Sequence, residues 1–372
     1  QGGRRFSEHV PGQRESFPDQ DDGNVSGLAS FTRPWNCGVR DVTTPLPSVS
    51  VVMPVVNEER HLGAAVRRIL DQDYQGNLEV VLAVGPSRDD TASVASSLAA
   101  DFTKVHVVDN PSGSTPAGLN AALGASTGEV VVRVDGHALI PSDYVSTAVA
   151  VLERTGADNV GGVMAAEGTD PFEQAVAAAM TSTFGVGGAS FHVGGHESPA
   201  LTVYLGCFRR TALERVGGYD ETMDRAQDWE LNLRIRNSGG VVYFTPDLTV
   251  TYRPRNSIKA LARQYFDYGR WRREVARRHP ETLSLRYLAA PVTVAAVVGG
   301  LGVCIVGVVT GRSGLVVAGV APATVYAVGN LVASASVASQ STNASLFRRL
   351  PTVFATMHGA WGAGFLRGGA GR

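Results

Sequence analysis

Two uncharged stretches, Tyr287–Gly311 and Leu315–Ala338, are 25 and 24 residues long and are separated by a short loop whose only charge is Arg312. Roughly 20 consecutive apolar residues cross a bilayer as a helix, so each stretch is long enough to span. Seven arginines lie between Arg263 and Arg286, ahead of the first stretch, and Arg348 and Arg349 follow the second. Basic residues collect on the cytoplasmic side of spanning helices, so the pattern predicts a transmembrane hairpin with both outer flanks in the cytoplasm. The alternative is a pair of buried core helices, which the many Gly and Ala residues would also suit. A third apolar stretch, Leu350–Leu366, holds His358 and Trp361. It is short for a span and is expected to be an interfacial helix.

The rest of the chain reads differently. A polar run rich in Gly, Pro, Arg and Asp covers residues 1–46; it has no apolar core of a signal peptide and reads as disordered. From Ser48 onward short apolar runs alternate with helical periodicity, the pattern of a mostly parallel sheet with helices on its faces. Strands are expected at Val49–Val56, Leu78–Val84, Val105–Val108 and Glu129–Asp135. Helical segments are expected near residues 90–100 and 116–125, and Leu62, Ala65, Val66, Ile69 and Leu70 mark one apolar helix face. A further helix is expected near Ala226–Arg236, ended by Gly239 and Gly240. Ligands of such sheets bind beyond the carboxyl ends of the strands, which gathers Asn57, Glu58, residues 85–90, Asn110 and residues 135–137 around one crevice.

Net charge is −1 and the isoelectric point about 6.8, which argues against binding nucleic acid through bulk charge. Cys37, Cys207 and Cys304 are odd in number and fit neither a disulfide framework nor a zinc site.

The run Arg133-Val134-Asp135-Gly136-His137 puts a carboxylate and an imidazole two positions apart at a strand end, where both can be aimed at one cation. A satisfied His in a strand-end turn is the plain alternative. Asp228, in Gln227-Asp228-Trp229-Glu230, opens a helical pattern; a carboxylate beside an aromatic can take a proton from an attacking hydroxyl, or can simply favour the helix N-terminus.

Together these residues resemble family 2 glycosyltransferases over about residues 47–286. Val51-Val52-Met53-Pro54-Val55-Val56-Asn57-Glu58-Glu59 is similar to the family's first strand and nucleotide-binding loop. Asn110-Pro111 and Gly118-Leu119-Asn120-Ala121 resemble the segment before the metal motif, and Asp135-Gly136-His137 stands where the family has Asp-x-Asp. Gly206-Cys207-Phe208-Arg209-Arg210, Gly217-Gly218-Tyr219-Asp220 and Gln227-Asp228-Trp229-Glu230-Leu231 resemble the acceptor half. Tyr252-Arg253-Pro254-Arg255 and Gln264-Tyr265-Phe266-Asp267-Tyr268-Gly269-Arg270-Trp271 are closest in wording to the succinoglycan-type exopolysaccharide transferases.

The resemblance implies a GT-A fold, Rossmann-like, in residues 47–256, followed by basic amphipathic juxtamembrane helices (257–286), two transmembrane helices (287–345) and an interfacial helix and tail (346–372). It implies an inverting single displacement from a nucleotide-sugar, expected to be a UDP-sugar, to a lipid-linked glycan or glycolipid at the inner (plasma) membrane, with the catalytic domain cytoplasmic. Asp228 would be the base. Pro54, Val56, Asn57, Glu58, Gly85, Ser87, Asp89, Asn110, Asn120, Arg133 and Asp135 would bind the donor. Asp135 and His137 would hold a divalent metal. Gly206, Gln227, Trp229, Gln264, Arg270 and Trp271 would meet the acceptor or the diphosphate.

Two departures stand out. Val84 lies where the family commonly has an Asp that reads uracil, and a valine side chain accepts no hydrogen bond. His137 replaces the second Asp of the metal motif; imidazole suits Mn²⁺ and other transition metals better than Mg²⁺, so Mn²⁺ is the expected metal. A nucleotidyltransferase and a catalytically degenerate membrane scaffold are the competing readings. The acidic Asn57-Glu58-Glu59 argues against the first, and the retention of Asp135 and Asp228 against the second.

Overall fold

The structure, a computed structural model, describes residues 45–369 except 342 and 344. The expectation of disorder in residues 1–46 and the cysteine at 37 therefore lie almost wholly outside the described residues.

Four strands, β1 (Val49–Val55), β2 (Leu78–Val84), β3 (Val105–Asp109) and β4 (Val130–Arg133), pair in parallel in the order β3-β2-β1-β4. Helices α1 (Leu62–Leu70), α2 (Thr91–Asp101) and α3 (Thr115–Ala125) form the crossovers. After α4 (Tyr144–Thr155) the sheet continues with β5 (Asn159–Ala166), β6 (Ser198–Pro199), β7 (Tyr204–Arg209) and β8 (Val242–Tyr252), giving the full order β3-β2-β1-β4-β7-β5-β8-β6. Here the direction changes: β7 runs antiparallel to both β4 and β5, and β6 antiparallel to β8. β7 is thus the strand that joins the two halves of the sheet.

Each face of the sheet has its own core, because a strand's successive side chains point to opposite sides. Val51 and Met53 of β1 pack with Leu62, Ile69 and Tyr144 on one face. Val52 packs with Leu119, Phe208, Leu231 and Phe244 on the other. Both sides of β1 are covered, which is why it reads as a continuous apolar run.

Helices α5 (Pro171–Met180), α6 (Thr183–Val186), α7 (Ser190–Val193), α8 (Arg210–Val216) and α9 (Gln227–Asn237) complete the sheet-bearing half. The predicted end of α9 is confirmed: Gly239 has φ +80° and its amide donates to the Arg236 carbonyl. Next come α10 (Ile258–Arg278), α11 (Leu285–Val309), α12 (Ser313–Ser339) and α13 (Leu346–Arg367).

α11 and α12 are long and apolar enough to cross a membrane, with mean hydropathies of 2.5 and 1.8 over their best windows, and only 6% and 11% of those windows is buried. A pair of core helices would be largely covered, and among the described residues these two are not. The helices pack on each other where Gly300 meets Gly319: a Cβ on Gly300 would come within 2.5 Å of the Gly319 carbonyl oxygen.

α13 packs one apolar face on the protein. Leu350, Val353, Phe354 and Met357 are fully buried in a third core with Val176 of α5 and Leu261 and Tyr265 of α10. Their i, i+3, i+4, i+7 spacing makes one apolar stripe; a sequence shows such a stripe without showing whether lipid or protein covers it. The contact is close because Gly269 and Gly364 let the backbones touch. A Cβ on either would collide with the partner helix, at Trp361 O and Phe266 O respectively.

Candidate functional site

The site is built around a buried cation. Arg133 ends β4 beneath the sheet's carboxyl edge and is 7% exposed. Its Nη2 donates to Asp135 Oδ1 at 2.9 Å, and its Nη1 donates to Asp228 Oδ1. Burial works against the guanidinium's charge, but Asp135 and then Asp228 outweigh it and hold Arg133 protonated well beyond the usual arginine range. One rigid fork thus fixes two carboxylates separated by 93 positions in sequence relative to each other. Tyr219 is 5% exposed and lies in the same field: burial, then Asp228, pushes its pKa upward.

Asp228 is placed by the start of α9, which follows Ala226 in a left-handed conformation at φ +60°. The helix is anchored from below. Asn232, 1% exposed, accepts from Asn159 Nδ2 at 2.7 Å and donates to Thr202 Oγ1 at 2.9 Å, while buried Glu230 pairs with Arg234. The Asp228 side chain itself remains 39% exposed, open to a substrate hydroxyl.

Opposite it, His137 Nδ1 lies 2.8 Å from Glu58 Oε1. That hydrogen bond raises the His137 pKa against the opposing effect of burial. Glu58 belongs to the loop after β1, whose second residue, Asn57, has φ +57°. Asn57 N donates to Ser87 Oγ at 3.0 Å, and Asn57 Oδ1 accepts from Arg88 N at 2.8 Å. Glu58 N donates to Thr91 Oγ1 at 2.7 Å, and Glu59 N to Asp89 Oδ2 at 3.2 Å. The Thr91 hydroxyl, donating to Asp89, holds that carboxyl below its ordinary range. Gly85 permits the approach of the two loops, since a Cβ there would lie 2.7 Å from Val56 Cγ2. Pro54 is the penultimate residue of β1, paired with Ala83.

Other expected site residues are occupied structurally. Asn110, 2% exposed, caps its own turn through Ser112 and Ser114. Asn120 clamps Tyr219 from both sides, donating to its carbonyl at 2.9 Å and accepting from its amide at 2.8 Å. Gly206 is a packing glycine; a Cβ there would strike the Phe208 ring and Asn159. Gln227 is buried in the first turn of α9.

The α10 residues correct the reading more strongly. Trp271, 8% exposed, packs with Met223 and Val275 against Trp229, so it presents no face for stacking on a sugar. Trp229 is covered by the Arg272 guanidinium, 4.6 Å above its ring. Arg270 is drawn to the Gly369 carbonyl at the far end of α13. Gln264 faces Arg255, Tyr252 and Tyr268. Arg255, read in the sequence within the Tyr252-Arg253-Pro254-Arg255 run, adds positive field at His137; sequence reasoning missed Thr91, whose position two residues after Asp89 was its signal.

The residues present fit a divalent cation in a limited way. Asp135 Oδ2 and His137 Nε2 have no hydrogen-bond partner among the described residues, and Glu58, by holding Nδ1, leaves Nε2 to ligate. Among the described residues no three His, Cys, Asp or Glu side chains converge on a metal position. With Asp135 and His137 as ligands the protein would supply two donors, and the rest would come from phosphate oxygens and water, a coordination habit of hard cations at phosphate sites.

The sequence pattern described as glycosyltransferase like family 2 matches residues 47–273. The succinoglycan biosynthesis protein ExoA of Rhizobium meliloti (strain 1021) is 32% identical over 321 residues, 85% of this chain and 93% of that protein. A dolichyl N-acetyl-alpha-D-glucosaminyl phosphate 3-beta-D-2,3-diacetamido-2,3-dideoxy-beta-D-glucuronosyltransferase of Methanococcus voltae is 24% identical over 59% of this chain and 71% of its own. Among solved structures, the mannosyltransferase PcManGT of Pyrobaculum calidifontis, in complex with GDP-Man and Mn²⁺, shares the fold at a TM-score of 0.55 and 23% identity, covering 88% of this chain and 89% of that one. With its parallel nucleotide-binding half, its antiparallel join and its paired carboxylates, the chain belongs to the family 2 glycosyltransferases.

Proposed function

We propose that the protein moves a sugar from a nucleotide-sugar, a UDP-sugar by preference, to a lipid-linked glycan or glycolipid at the plasma membrane, in the assembly of exopolysaccharide or another envelope glycan. The observation that carries this reading is the single guanidinium of Arg133 holding Asp228 and Asp135. Asp228 takes the proton of the attacking acceptor hydroxyl, and its exposure leaves it reachable. Arg133 keeps that carboxylate in register with Asp135, so attack and departure are aligned across one centre and the displacement inverts the anomeric carbon. The loops bearing Asn57, Glu58, Ser87 and Asp89 border the donor crevice.

A divalent metal held by Asp135 and His137 would neutralise charge on the departing diphosphate, and the imidazole favours Mn²⁺ over Mg²⁺. α11 and α12 cross the membrane, with the arginine-rich flanks and the transferase half on the cytoplasmic side. The resemblance to the succinoglycan protein over 85% of the chain supports the envelope-glycan setting.

The test is transfer from labelled UDP-, GDP- and dTDP-sugars into the lipid fraction of membranes containing the protein. Incorporation from one donor, with inverted linkage in the product, is expected; release of pyrophosphate in place of the nucleoside diphosphate would mark a nucleotidyltransferase.

A further inference from the structure

A second cationic region lies against the face of α10, in a cavity of about 240 Å³ lined by Arg225, Arg255, Arg263, Gln264, Asp267 and Tyr268. It differs from the Arg133 centre in having almost no counterions. None of the three arginines makes an ion pair among the described residues, and the one carboxylate in the lining, Asp267, is turned toward Arg270 at 4.0 Å.

Its hydrogen bonds point the same way. Arg255 Nε donates to Gln264 Oε1 at 3.3 Å. Arginine has only donors, so the Gln264 oxygen must face it and the amide nitrogen must face the two tyrosines, Tyr252 at 2.9 Å and Tyr268 at 2.7 Å. Both tyrosine oxygens therefore accept, and their protons are free to donate. Around one opening stand three guanidinium forks and the hydroxyl of Tyr268, which is 40% exposed. A carboxylate is matched by one such fork; a phosphoryl group, with more oxygens and more charge, suits several.

Position selects which phosphoryl group. Arg225 stands three residues before Asp228, on the loop that delivers the base. α10 continues from the cavity to Arg278, and the first apolar helix begins at Leu285, so the cavity lies on the helix that joins the transferase half to the membrane segment. We propose that this pocket binds the phosphate or diphosphate joining the acceptor's glycan to its lipid, with the lipid running toward α11 and the glycan toward Asp228. The proposal rests on the transferase reading above for its acceptor, and on the pocket's chemistry for its anion.

Two measurements on the full chain in detergent test it. The first is titration with inorganic pyrophosphate in the presence of EDTA, which removes any metal-borne site. Wild type should bind saturably, Arg225→Gln/Arg263→Gln at least about tenfold more weakly, and Arg348→Gln, at the start of α13, like wild type. The second is steady-state transfer to a polyprenyl-diphosphate-linked acceptor. The double variant should raise the acceptor KM about tenfold or more while leaving the donor KM and the kcat at saturating acceptor unchanged. Equal pyrophosphate affinity in wild type and variant would overturn the pocket. A raised donor KM with an unchanged acceptor KM would assign its anion to the donor and overturn the acceptor assignment. The titration reads out without turnover, so failure to find any transfer would count against the transferase reading and not against the pocket.

Discussion

Two arginine-bearing regions flank the proposed reaction centre, and they handle charge in opposite ways. Arg133 is buried between two carboxylates that it holds at once; Arg225, Arg255 and Arg263 crowd an open cavity with one carboxylate that leans elsewhere. A cation matched within the protein makes a fixed frame, because leaving either partner alone in a buried place is costly. Cations unmatched within the protein are open to an outside anion. The first region is therefore read as the frame of the chemistry and the second as a place where substrate is held.

The hardest blow to that contrast is Arg133→Met. It leaves Asp135 and Asp228 facing each other without a cation, and is expected to lower unfolding stability by about 1–3 kcal/mol, since both carboxylates stay partly solvated, and transfer by at least about 10²-fold. Arg133→Lys should recover part of the stability and little of the activity, since one ammonium lacks the fork that reaches both carboxylates. Circular dichroism melts beside transfer assays separate the two effects.

Next in size is the metal. Chelation should abolish transfer, with Mn²⁺ restoring it better than Mg²⁺, and Glu58→Gln should weaken metal affinity about 10-fold by releasing the His137 ring. Equal restoration by Mg²⁺ would remove His137 from the ligand set.

Smallest is a stability effect at the join between the regions. Glu274, 7% exposed, pairs with Arg277 and Arg278, and Arg278 reaches across to Asp220. The Arg277 hydrogen bond, with Arg278, pulls the Glu274 pKa down from 4.5 to about 2. A depressed carboxylate contributes stability that is present above its unfolded pKa and lost as pH falls through the folded one. The contribution should thus fade between about pH 4.5 and pH 2. Glu274→Gln should cost about 1–2 kcal/mol at neutral pH and flatten the acid limb of the stability profile, measured by denaturant unfolding.

Much of the first half could be read from residues alone. The buried parallel strands announce themselves as continuous Val-rich runs, and β2 was placed to the residue. Asp135, His137 and Asp228 carry their chemistry in short motifs. Arg133 was legible only as one of the donor-binding residues; its bridging role depends on a fold that brings position 228 beneath position 133, which no spacing reveals. The fate of α10 and α13 was hidden for a related reason. Trp271 and the Leu350–Met357 stripe have the composition of a ligand-stacking or lipid-facing surface, and only Gly269 and Gly364, which let the two backbones meet, hint that each helix covers the other. By contrast, α11 and α12 are legible from their length and hydropathy alone.

The most direct test is the Asp228→Asn variant, which keeps the shape and a hydrogen bond to Arg133 while removing the group that accepts the proton. The account predicts unchanged donor binding, a stability loss of about 1–3 kcal/mol from the charge removed beside buried Arg133, and sugar transfer to lipid reduced by about 10³-fold or more. Turnover within a few-fold of wild type in that variant would contradict it.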